Sequence, residues 1–137
     1  MINHYTKNKG DLGVLKAKCD LCQKGYLVLN PETEHAPFDL VVWKDGTFKT
    51  VQVKYREIKF GRIEISFKTS WTDKHGTHVV PVNKDLVDLY CVYCPETDKC
   101  YYFNPSDFGK SITLRVEAPK NNQKQGIRFA DDYCEVP

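Results

Sequence analysis

Several features that would place this chain in a membrane or secreted class are missing from its sequence. No apolar run reaches the roughly eighteen residues that a transmembrane helix needs. The first residues, Met1 to Lys7, lack the apolar segment of a secretory signal peptide. The formal net charge is only +2, so the total charge alone does not indicate a nucleic-acid partner. We therefore expect an intracellular, cytoplasmic protein without a membrane-spanning segment.

The length and composition indicate an ordinary globular protein. With 137 residues, of which 41% are hydrophobic and 28% charged, the whole chain suits a single domain. Its basic residues are unevenly placed, and five of them follow one another closely: Lys54, Arg56, Lys59, Arg62 and Lys68. Such a basic sector is compatible with binding to a phosphate backbone, although a solvated strand face has the same pattern.

Six cysteines leave a metal-binding and a structural interpretation open. Two pairs have the Cys-x₂-Cys spacing of zinc ligands, Cys19 with Cys22 and Cys91 with Cys94, whereas Cys100 and Cys134 stand apart. However, Cys19 and Cys22 continue an apolar series at helical spacing from Leu12 and Leu15, which predicts a helix stripe that faces the core. Cys91 and Cys94 would point to opposite faces of a strand, a poor geometry for holding one ion. Core or surface thiols are therefore favoured over a zinc site, and the expected intracellular location disfavours disulfides.

The pattern of apolar residues predicts one helix followed by a series of strands. A helix over residues 11–24 begins with Asp11 in its first turn and is stopped by Gly25. Alternating or continuous apolar runs predict seven strands, at residues 26–30, 38–43, 47–56, 62–67, 88–93, 99–103 and 112–116. The polar residues 68–78 predict a surface loop, residues 104–108 a turn or single helical turn, and residues 118–125 a polar segment. The result is a mixed or antiparallel sheet after one helix.

Three polar residues interrupt two of these predicted strands. Asp39 lies near the start of the strand at 38–43, and Gln52 and Lys54 project to one side of the strand at 47–56. A hairpin around Lys44-Asp45-Gly46 would bring Asp39 close to the other two. Hard oxygen ligands beside an ammonium are what a hydrolytic Mg²⁺ site requires. A structural Asp39–Lys54 salt bridge is the alternative interpretation.

The order of these features resembles a known family of nucleases. A helix with an acid, then Pro37-Phe38-Asp39, a hairpin and Gln52-Val53-Lys54 is similar to the PD-(D/E)XK superfamily. Residues 9–15, 25–41 and 51–56 resemble the small homing endonucleases of that superfamily that are encoded in group I introns. The resemblance covers the first half of the chain strongly and the second hairpin, at 90–108, more loosely. It implies an α+β, restriction-endonuclease-like fold: a mixed β-sheet with flanking helices and an additional β-hairpin.

The resemblance also implies a set of catalytic and metal-binding residues. Asp39 is then the central metal ligand, Gln52 stands where most of the superfamily has Asp or Glu, and Lys54 is the motif lysine. Asp11 takes the place of the first-helix acid, and the backbone carbonyl of Val53 completes the ligands. The implied cofactor is Mg²⁺, with Mn²⁺ as a substitute ion. Because glutamine brings no charge, the metal should be held more weakly than by two acids.

A double-strand break at an intron insertion site is the activity that the resemblance implies, with double-stranded DNA as the partner. One site cuts one strand, so a homo-oligomer is expected, with a tetramer favoured and a dimer as the alternative. Residues near the site and in the polar tail are candidates for DNA contacts, to phosphates or to base edges. They are Lys49, Tyr55, Arg56, Lys59, Arg62, Lys68, Lys74, His75, His78, Asn121, Asn122, Gln123, Lys124 and Arg128.

Other functions are compatible with the same residues. A Holliday-junction resolvase or a restriction-like enzyme would keep the chemistry and change the substrate. A non-catalytic DNA-binding module with a decayed site is an alternative of another class, and Gln52 is the feature that favours it.

Overall fold

The structure is a computed structural model in which residues 5–117, 121 and 125–137 are described. One helix, α1, spans Tyr5–Gln23. Nine strands follow: β1 (Leu27–Leu29), β2 (Leu40–Lys44), β3 (Thr47–Tyr55), β4 (Arg62–Ser66), β5 (Lys68–Asp73), β6 (Gly76–Pro81), β7 (Leu89–Cys94), β8 (Lys99–Phe103) and β9 (Ser111–Arg115). Short 3₁₀ helices lie at Lys84–Leu86, Pro105–Asp107 and Ala130–Tyr133. No helix in this described part of the chain is long and apolar enough to cross a membrane.

A mixed five-stranded sheet forms the centre of the fold, in the order β1-β2-β3-β7-β8. Strand β3 pairs antiparallel with β2 and parallel with β7, and the remaining neighbours are antiparallel. Two further antiparallel pairs, β4 with β9 and β5 with β6, stand apart from this sheet. This arrangement confirms the predicted α+β fold with a mixed sheet, a flanking helix and an additional hairpin. The assignment of the whole chain to one domain stays a prediction.

The β2–β3 hairpin forms as the sequence predicts. Its two turn residues both have positive φ, 51° at Asp45 and 83° at Gly46. This is the backbone of the two-residue turn that matches the twist of paired strands, and Asp-Gly is one of its preferred sequences. The turn fixes the register, in which Leu40, the first residue of β2, pairs with Val51.

Strand β3 has two faces with different neighbours. Val51 and Val53 belong to a buried cluster that also contains Ala17 and Leu21 of α1, and we call this side the helix face. The other side carries Gln52, Lys54 and the following Arg56, and we call it the polar face. A second buried cluster, with residues of β4, β7, β8 and β9, lies on the polar-face side of the sheet. Apolar packing therefore covers both sides of the central sheet, and β3 itself packs through its helix face.

The helix packs through a different stripe from the one that the sequence analysis predicts. Leu12 and Leu15 are exposed, as are Cys19 and Cys22, so the prediction of a core stripe through these residues is wrong. The buried residues of α1 are Gly13, Ala17 and Leu21. The small size of Gly13 and Ala17 lets the helix approach closely: a Cβ atom on Gly13 would lie 3.5 Å from Tyr55 Cβ.

Gly25 ends the helix as predicted. Its φ is 88°, its N–H donates to the carbonyl of Cys22, and the N–H of Tyr26 donates to the carbonyl of Leu21. These two hydrogen bonds, with a glycine in the left-handed region, satisfy the last carbonyl groups of a helix.

Residues 68–78, predicted to be a surface loop, instead belong to the β5–β6 hairpin. Trp71 pairs with His78, and their rings stack with centroids 5.1 Å apart. The hydroxyls of Thr72 and Thr77 lie 3.1 Å apart across the strands. Aromatic and hydroxyl pairs of this kind stabilise a two-stranded ribbon, and this outweighs the polar composition that suggested a loop.

The cysteine pairs separate as predicted for β7. Cys91 lies in the helix-face cluster and Cys94 in the opposite one. All six cysteines are free thiols, and the described residues contain no group of three or more His, Cys, Asp or Glu side chains that could hold a metal ion. The structure therefore supplies no Cys-rich zinc site within the part of the chain that it describes.

Candidate active site

Asp39 lies directly before β2, where that strand separates from β3. Its backbone N–H donates to the carbonyl of Val51 at 2.9 Å, which continues the ladder one residue beyond the strand. Its Oδ2 atom accepts one hydrogen bond from Val53 N, at 2.9 Å, and another from Gln52 Nε2, at 3.0 Å. The predicted proximity of Asp39 and Gln52 is confirmed, and the carboxylate is held in a fixed orientation.

The hydrogen bond to Val53 also determines where its carbonyl points. In an extended strand the N–H and C=O groups of one residue are directed to the same neighbouring strand. The Val53 N–H is directed toward Asp39, beyond the paired part of β2. The Val53 carbonyl is therefore directed to the same side as the Asp39 carboxylate, in agreement with its predicted role as an oxygen ligand.

Lys54 is half-buried on the polar face, two residues after Gln52. Burial, and then the charge of Arg56, lower the pKa of its ammonium, while the charge of Asp39 acts in the opposite direction. Among the ion pairs of the described residues, none joins Asp39 to Lys54. The alternative of a closed structural salt bridge is therefore not what the structure contains.

The donor set around Asp39 suits a hard cation that is shared with a substrate. Asp39 keeps its second carboxylate oxygen, and Gln52 keeps its amide oxygen because it binds Asp39 through nitrogen. With the Val53 carbonyl, these are the oxygen ligands that Mg²⁺ prefers. Only one of them carries a charge, so phosphate oxygens and water have to complete the coordination.

Among the described residues, no ion pair joins Asp11 to this group. Asp11 is exposed on α1, and α1 packs on the helix face through Gly13, against Val53 and Tyr55. Gln52 and Lys54 project from the opposite face of the same strand. The assignment of Asp11 as a catalytic residue and metal ligand stays a prediction.

A basic cavity of about 420 Å³ opens next to Lys54. It is lined by Lys54, Arg56, Lys68, Ser66 and Ser70, together with Val79. The lining combines three cations and two hydroxyls with no carboxylate among the described residues. A cavity of this charge and polarity can accept a phosphodiester.

The predicted DNA contacts divide into residues around this cavity and residues elsewhere. Lys68 lies in it, whereas Tyr55, Lys59 and Arg62 line a neighbouring cavity of about 410 Å³ that also reaches Arg56. On the helix face, Lys49 Nζ donates to the Pro137 carbonyl at 2.6 Å.

The remaining predicted contacts lie in the β5–β6 hairpin and near the C-terminal end of the chain. Lys74 and His75 occupy the exposed turn of the hairpin, and His78 Nε2 lies 3.0 Å from Asp73 Oδ1. Asn121 is exposed, and the Arg128 guanidinium lies 5.1 Å from the centre of the Phe108 ring. Asn122, Gln123 and Lys124 lie outside the described residues. All of these DNA contacts stay predictions.

Sequence reasoning missed Tyr90, which lies on β7 opposite Gln52. It is fully buried, and its hydroxyl is the one buried side-chain polar atom without a hydrogen-bond partner in the described part of the chain. The continuous apolar run of β7 hides it, because a tyrosine in such a run is normally a core residue. The parallel pairing of β3 with β7 is what brings it to the polar face.

Comparison with known proteins gives a family match and a structural match. A family model described as "PD-(D/E)XK endonuclease" matches residues 4–136. A solved structure, that of the bacterial homing endonuclease I-Ssp6803I, superposes with a TM-score of 0.74 at 24% sequence identity, covering 94% of this chain and 88% of that one. At this identity the likeness supports the fold alone. Among curated proteins, no sequence matches significantly.

Proposed function

Because this chain belongs to the PD-(D/E)XK endonuclease family, we propose that it is a sequence-specific, Mg²⁺-dependent DNA endonuclease of the homing type, which makes a double-strand break at an intron insertion site. The observation that carries the proposal is the hydrogen-bonded group of Asp39, Gln52 and Val53 beside Lys54. These are the positions of the family motif. Double-stranded DNA is the proposed substrate and the cytoplasm the proposed location.

Asp39, Gln52 and the Val53 carbonyl would hold the metal ion. When bound, Mg²⁺ supplies Lewis-acid stabilisation of the phosphate and lowers the pKa of a water molecule. Mn²⁺ should substitute because it accepts similar oxygen ligands. Asp39 is already oriented by two donors, so little reorganisation is needed when a cation and a phosphate arrive.

The chain's own cations act on the phosphate group. Lys54 projects from the same face as Gln52, where its ammonium can orient the attacking water or offset the charge that develops on phosphorus-bound oxygens. Arg56 and Lys68 extend the positive surface along the cavity and would contact the backbone on either side of the cut bond. Hydrolysis at this site would leave a 5′-phosphate and a 3′-hydroxyl.

A double-strand break requires two such sites, because one site faces one strand. Two copies related by a two-fold axis would place one site against each strand. We favour a homotetramer in which two subunits cut, and a homodimer is the simpler assembly that meets the same requirement. Analytical ultracentrifugation with and without DNA would distinguish the two.

Plasmid cleavage tests the function. The substrate is a plasmid carrying the DNA that flanks this reading frame in its genome, incubated with wild-type protein or Asp39→Ala in Mg²⁺ and in EDTA. We expect discrete cleavage that requires Mg²⁺ and is lost in Asp39→Ala, with both proteins equally folded by circular dichroism. Cleavage of four-way junctions but not of this plasmid would instead indicate a resolvase on the same fold.

The uncharged Gln52 favours a second candidate, a DNA-binding module that has lost catalysis. Asp39 is the one carboxylate in the hydrogen-bonded group, and a single charged protein ligand should hold Mg²⁺ weakly. Lys54→Ala separates the two candidates. An endonuclease loses cleavage and keeps its DNA affinity, whereas a binding module shows no Mg²⁺-dependent cleavage even as wild type.

A further inference from the structure

Tyr90 has a fixed ring and a hydroxyl without a partner. Its ring packs edge-on against Phe67, with centroids 5.1 Å apart, and lies 5.6 Å from the Phe103 ring. The side chain is fully buried, and among the described residues no group accepts from or donates to its hydroxyl. A buried hydroxyl without a partner destabilises a folded protein, and phenylalanine would fill the same space without that cost. The position of the hydroxyl therefore calls for an explanation from function.

The neighbourhood of Tyr90 is the polar face of the sheet. In the parallel pairing of β3 with β7, Tyr90 lies beside Gln52, and Val92 lies beside Lys54. Residues paired in this way point to the same side of a sheet. Burial raises the pKa of the Tyr90 hydroxyl, while the charge of Arg56 lowers it and that of Asp39 raises it. The hydroxyl is thus within electrostatic reach of the site rather than in a separate part of the core.

Arg56 has the complementary property, a half-buried cation with unused donors. Its Nη1 atom donates to the Tyr55 carbonyl at 2.9 Å, and no carboxylate pairs with it among the described ion pairs. Burial lowers the pKa of Arg56, and Tyr90 is the group that opposes this effect. A guanidinium carries five N–H donors in a planar fork, and such a fork is suited to two oxygens of one phosphate.

We propose that Arg56 binds the phosphodiester in the cavity beside Lys54 and that Tyr90 is a positioning residue which accepts a hydrogen bond from Arg56 when the phosphate is bound. Tyr90 does not touch the DNA, because it is fully buried. Its hydroxyl oxygen fixes one edge of the guanidinium, so that the other N–H groups meet the phosphate oxygens as charge builds up on them. This inference rests on the proposed nuclease function and assigns two residues a role within the same site.

A double-mutant cycle with Arg56→Lys, Tyr90→Phe and the double variant tests the proposal. We expect Arg56→Lys to lower the single-turnover cleavage rate about 100-fold, because an ammonium cannot replace the planar fork. Tyr90→Phe should lower it about tenfold, with DNA affinity nearly unchanged. The double variant should cleave as slowly as Arg56→Lys alone, since Tyr90 acts only through Arg56.

Thermal melting distinguishes a positioning role from a structural one. If the Tyr90 hydroxyl had a structural role, its removal would lower the melting temperature. Tyr90→Phe should melt at the wild-type temperature or a few degrees above it, since the unpartnered hydroxyl is removed. Tyr102→Phe is the matched control on β8: its hydroxyl donates to Asp20, so it should melt lower and cleave at the wild-type rate. Tyr90→Phe cleaving at the wild-type rate, or rate losses that multiply in the double variant, would overturn the proposal.

Failure of the proposed function gives a different pattern. If the wild-type protein binds DNA without cleaving it, the same cycle is run on DNA affinity, measured by fluorescence anisotropy in EDTA. A small weakening by Tyr90→Phe that disappears in the Arg56→Lys background would support the Arg56–Tyr90 coupling in a binding module. Equal weakening in both backgrounds would refute it, and a wild-type protein that neither binds nor cleaves DNA overturns both proposals.

Discussion

On the helix face of the central sheet, the hydroxyls of Tyr93 and Tyr102 bind carboxylates, whereas on the polar face the Tyr90 hydroxyl has no such partner among the described residues. The hydroxyl of Tyr93 donates to Asp98 at 2.7 Å, and Asp98 also accepts from Lys16 at 2.9 Å. In the same way, Asp20 accepts from Tyr102 and lies 3.0 Å from Lys24. The hydroxyls of Tyr93 and Tyr102 are thus satisfied within the chain.

The polar face has the same residue types without such partners. Lys54 feels the charge of Asp39 without forming an ion pair, Arg56 pairs with no carboxylate among the described ion pairs, and the Tyr90 hydroxyl has no partner among the described residues. Because unmatched polar groups lower the stability of a fold, their concentration on one face marks the groups that are kept for a ligand. The difference teaches that two faces of one strand can be built differently, the helix face for stability and the polar face for the proposed chemistry.

The largest expected effect comes from removing the ammonium of the polar face. Lys54→Met should lower the cleavage rate about 10²- to 10³-fold, because the group beside the phosphate is lost. The variant should nevertheless be at least as stable as wild type in EDTA, since burial lowers the pKa of Lys54 and so disfavours its charged form in the folded state. Single-turnover cleavage and thermal melting check the two parts.

The difference in stability between the wild-type protein and Lys54→Met should depend on pH. A lysine with a lowered folded pKa binds fewer protons in the folded than in the unfolded state between that pKa and the ordinary value of 10.5. The wild-type protein should therefore gain stability relative to Lys54→Met as the pH rises through this window. A stability difference that stays constant with pH would contradict the unpaired state of Lys54.

A substitution in the core of the helix face should lower stability and leave the cleavage rate unchanged. Leu21 is fully buried under the sheet, so Leu21→Ala should lower the free energy of unfolding by about 2–5 kcal/mol. The cleavage rate per folded molecule should not change, because the site lies across the sheet. Leu15→Ala, on the exposed side of the same helix, is the matched control and should change stability by less than about 0.5 kcal/mol. Urea unfolding and cleavage below the transition measure both.

Gln52→Glu tests the comparison of the two faces, because it adds a negative charge to the polar face. It replaces the amide that donates to Asp39 with a second carboxylate at about the same place. Without metal the two carboxylates repel each other, so the melting temperature in EDTA should fall by a few degrees. Mg²⁺ should restore more stability than in wild type, and the Mg²⁺ concentration for half-maximal cleavage should fall about tenfold. An unchanged Mg²⁺ requirement would show that residue 52 does not bind the ion.

The smallest effect is expected at the margin of the cavity. Lys68→Ala removes one cation that lines it, so DNA affinity should fall a few-fold and the slope of log affinity against log salt should decrease by about one. Lys44→Ala is the control, because Lys44 Nζ is engaged with the Lys24 carbonyl at 2.9 Å. Equal salt slopes for Lys68→Ala and wild type would place the DNA elsewhere.

The part of the site that could be predicted lies on two strands that follow each other in the sequence. The Asp45-Gly46 turn and the alternation of β3 were sufficient to place Asp39 beside Gln52, because a two-residue hairpin fixes the register. The helical period of α1 was predicted correctly, but the set of residues that faces the core was not. Its packing face is selected by the small residues Gly13 and Ala17, which allow close approach, rather than by the largest apolar ones.

The features that could not be predicted depend on strand pairings that no local sequence pattern shows. No local pattern shows that β7 lies parallel to β3, so the place of Tyr90 opposite Gln52 could not be predicted. The β5–β6 hairpin was missed because its stability comes from cross-strand pairs such as Trp71 with His78, which only the register reveals. The role of Asp11 was suggested by family resemblance alone, and it stays a prediction.

The parallel pairing of β3 with β7 also sets the order in which the site can be assembled. The β2–β3 hairpin closes a two-residue turn, whereas β7 reaches β3 only after β4, β5 and β6 have been synthesised. Short closures are fast and long ones slow, so the group around Asp39 should form early and gain Tyr90 late. A chain still leaving the ribosome would then have its oxygen ligands in place before the tyrosine that positions Arg56. Cutting activity should therefore appear only when the last strands have docked.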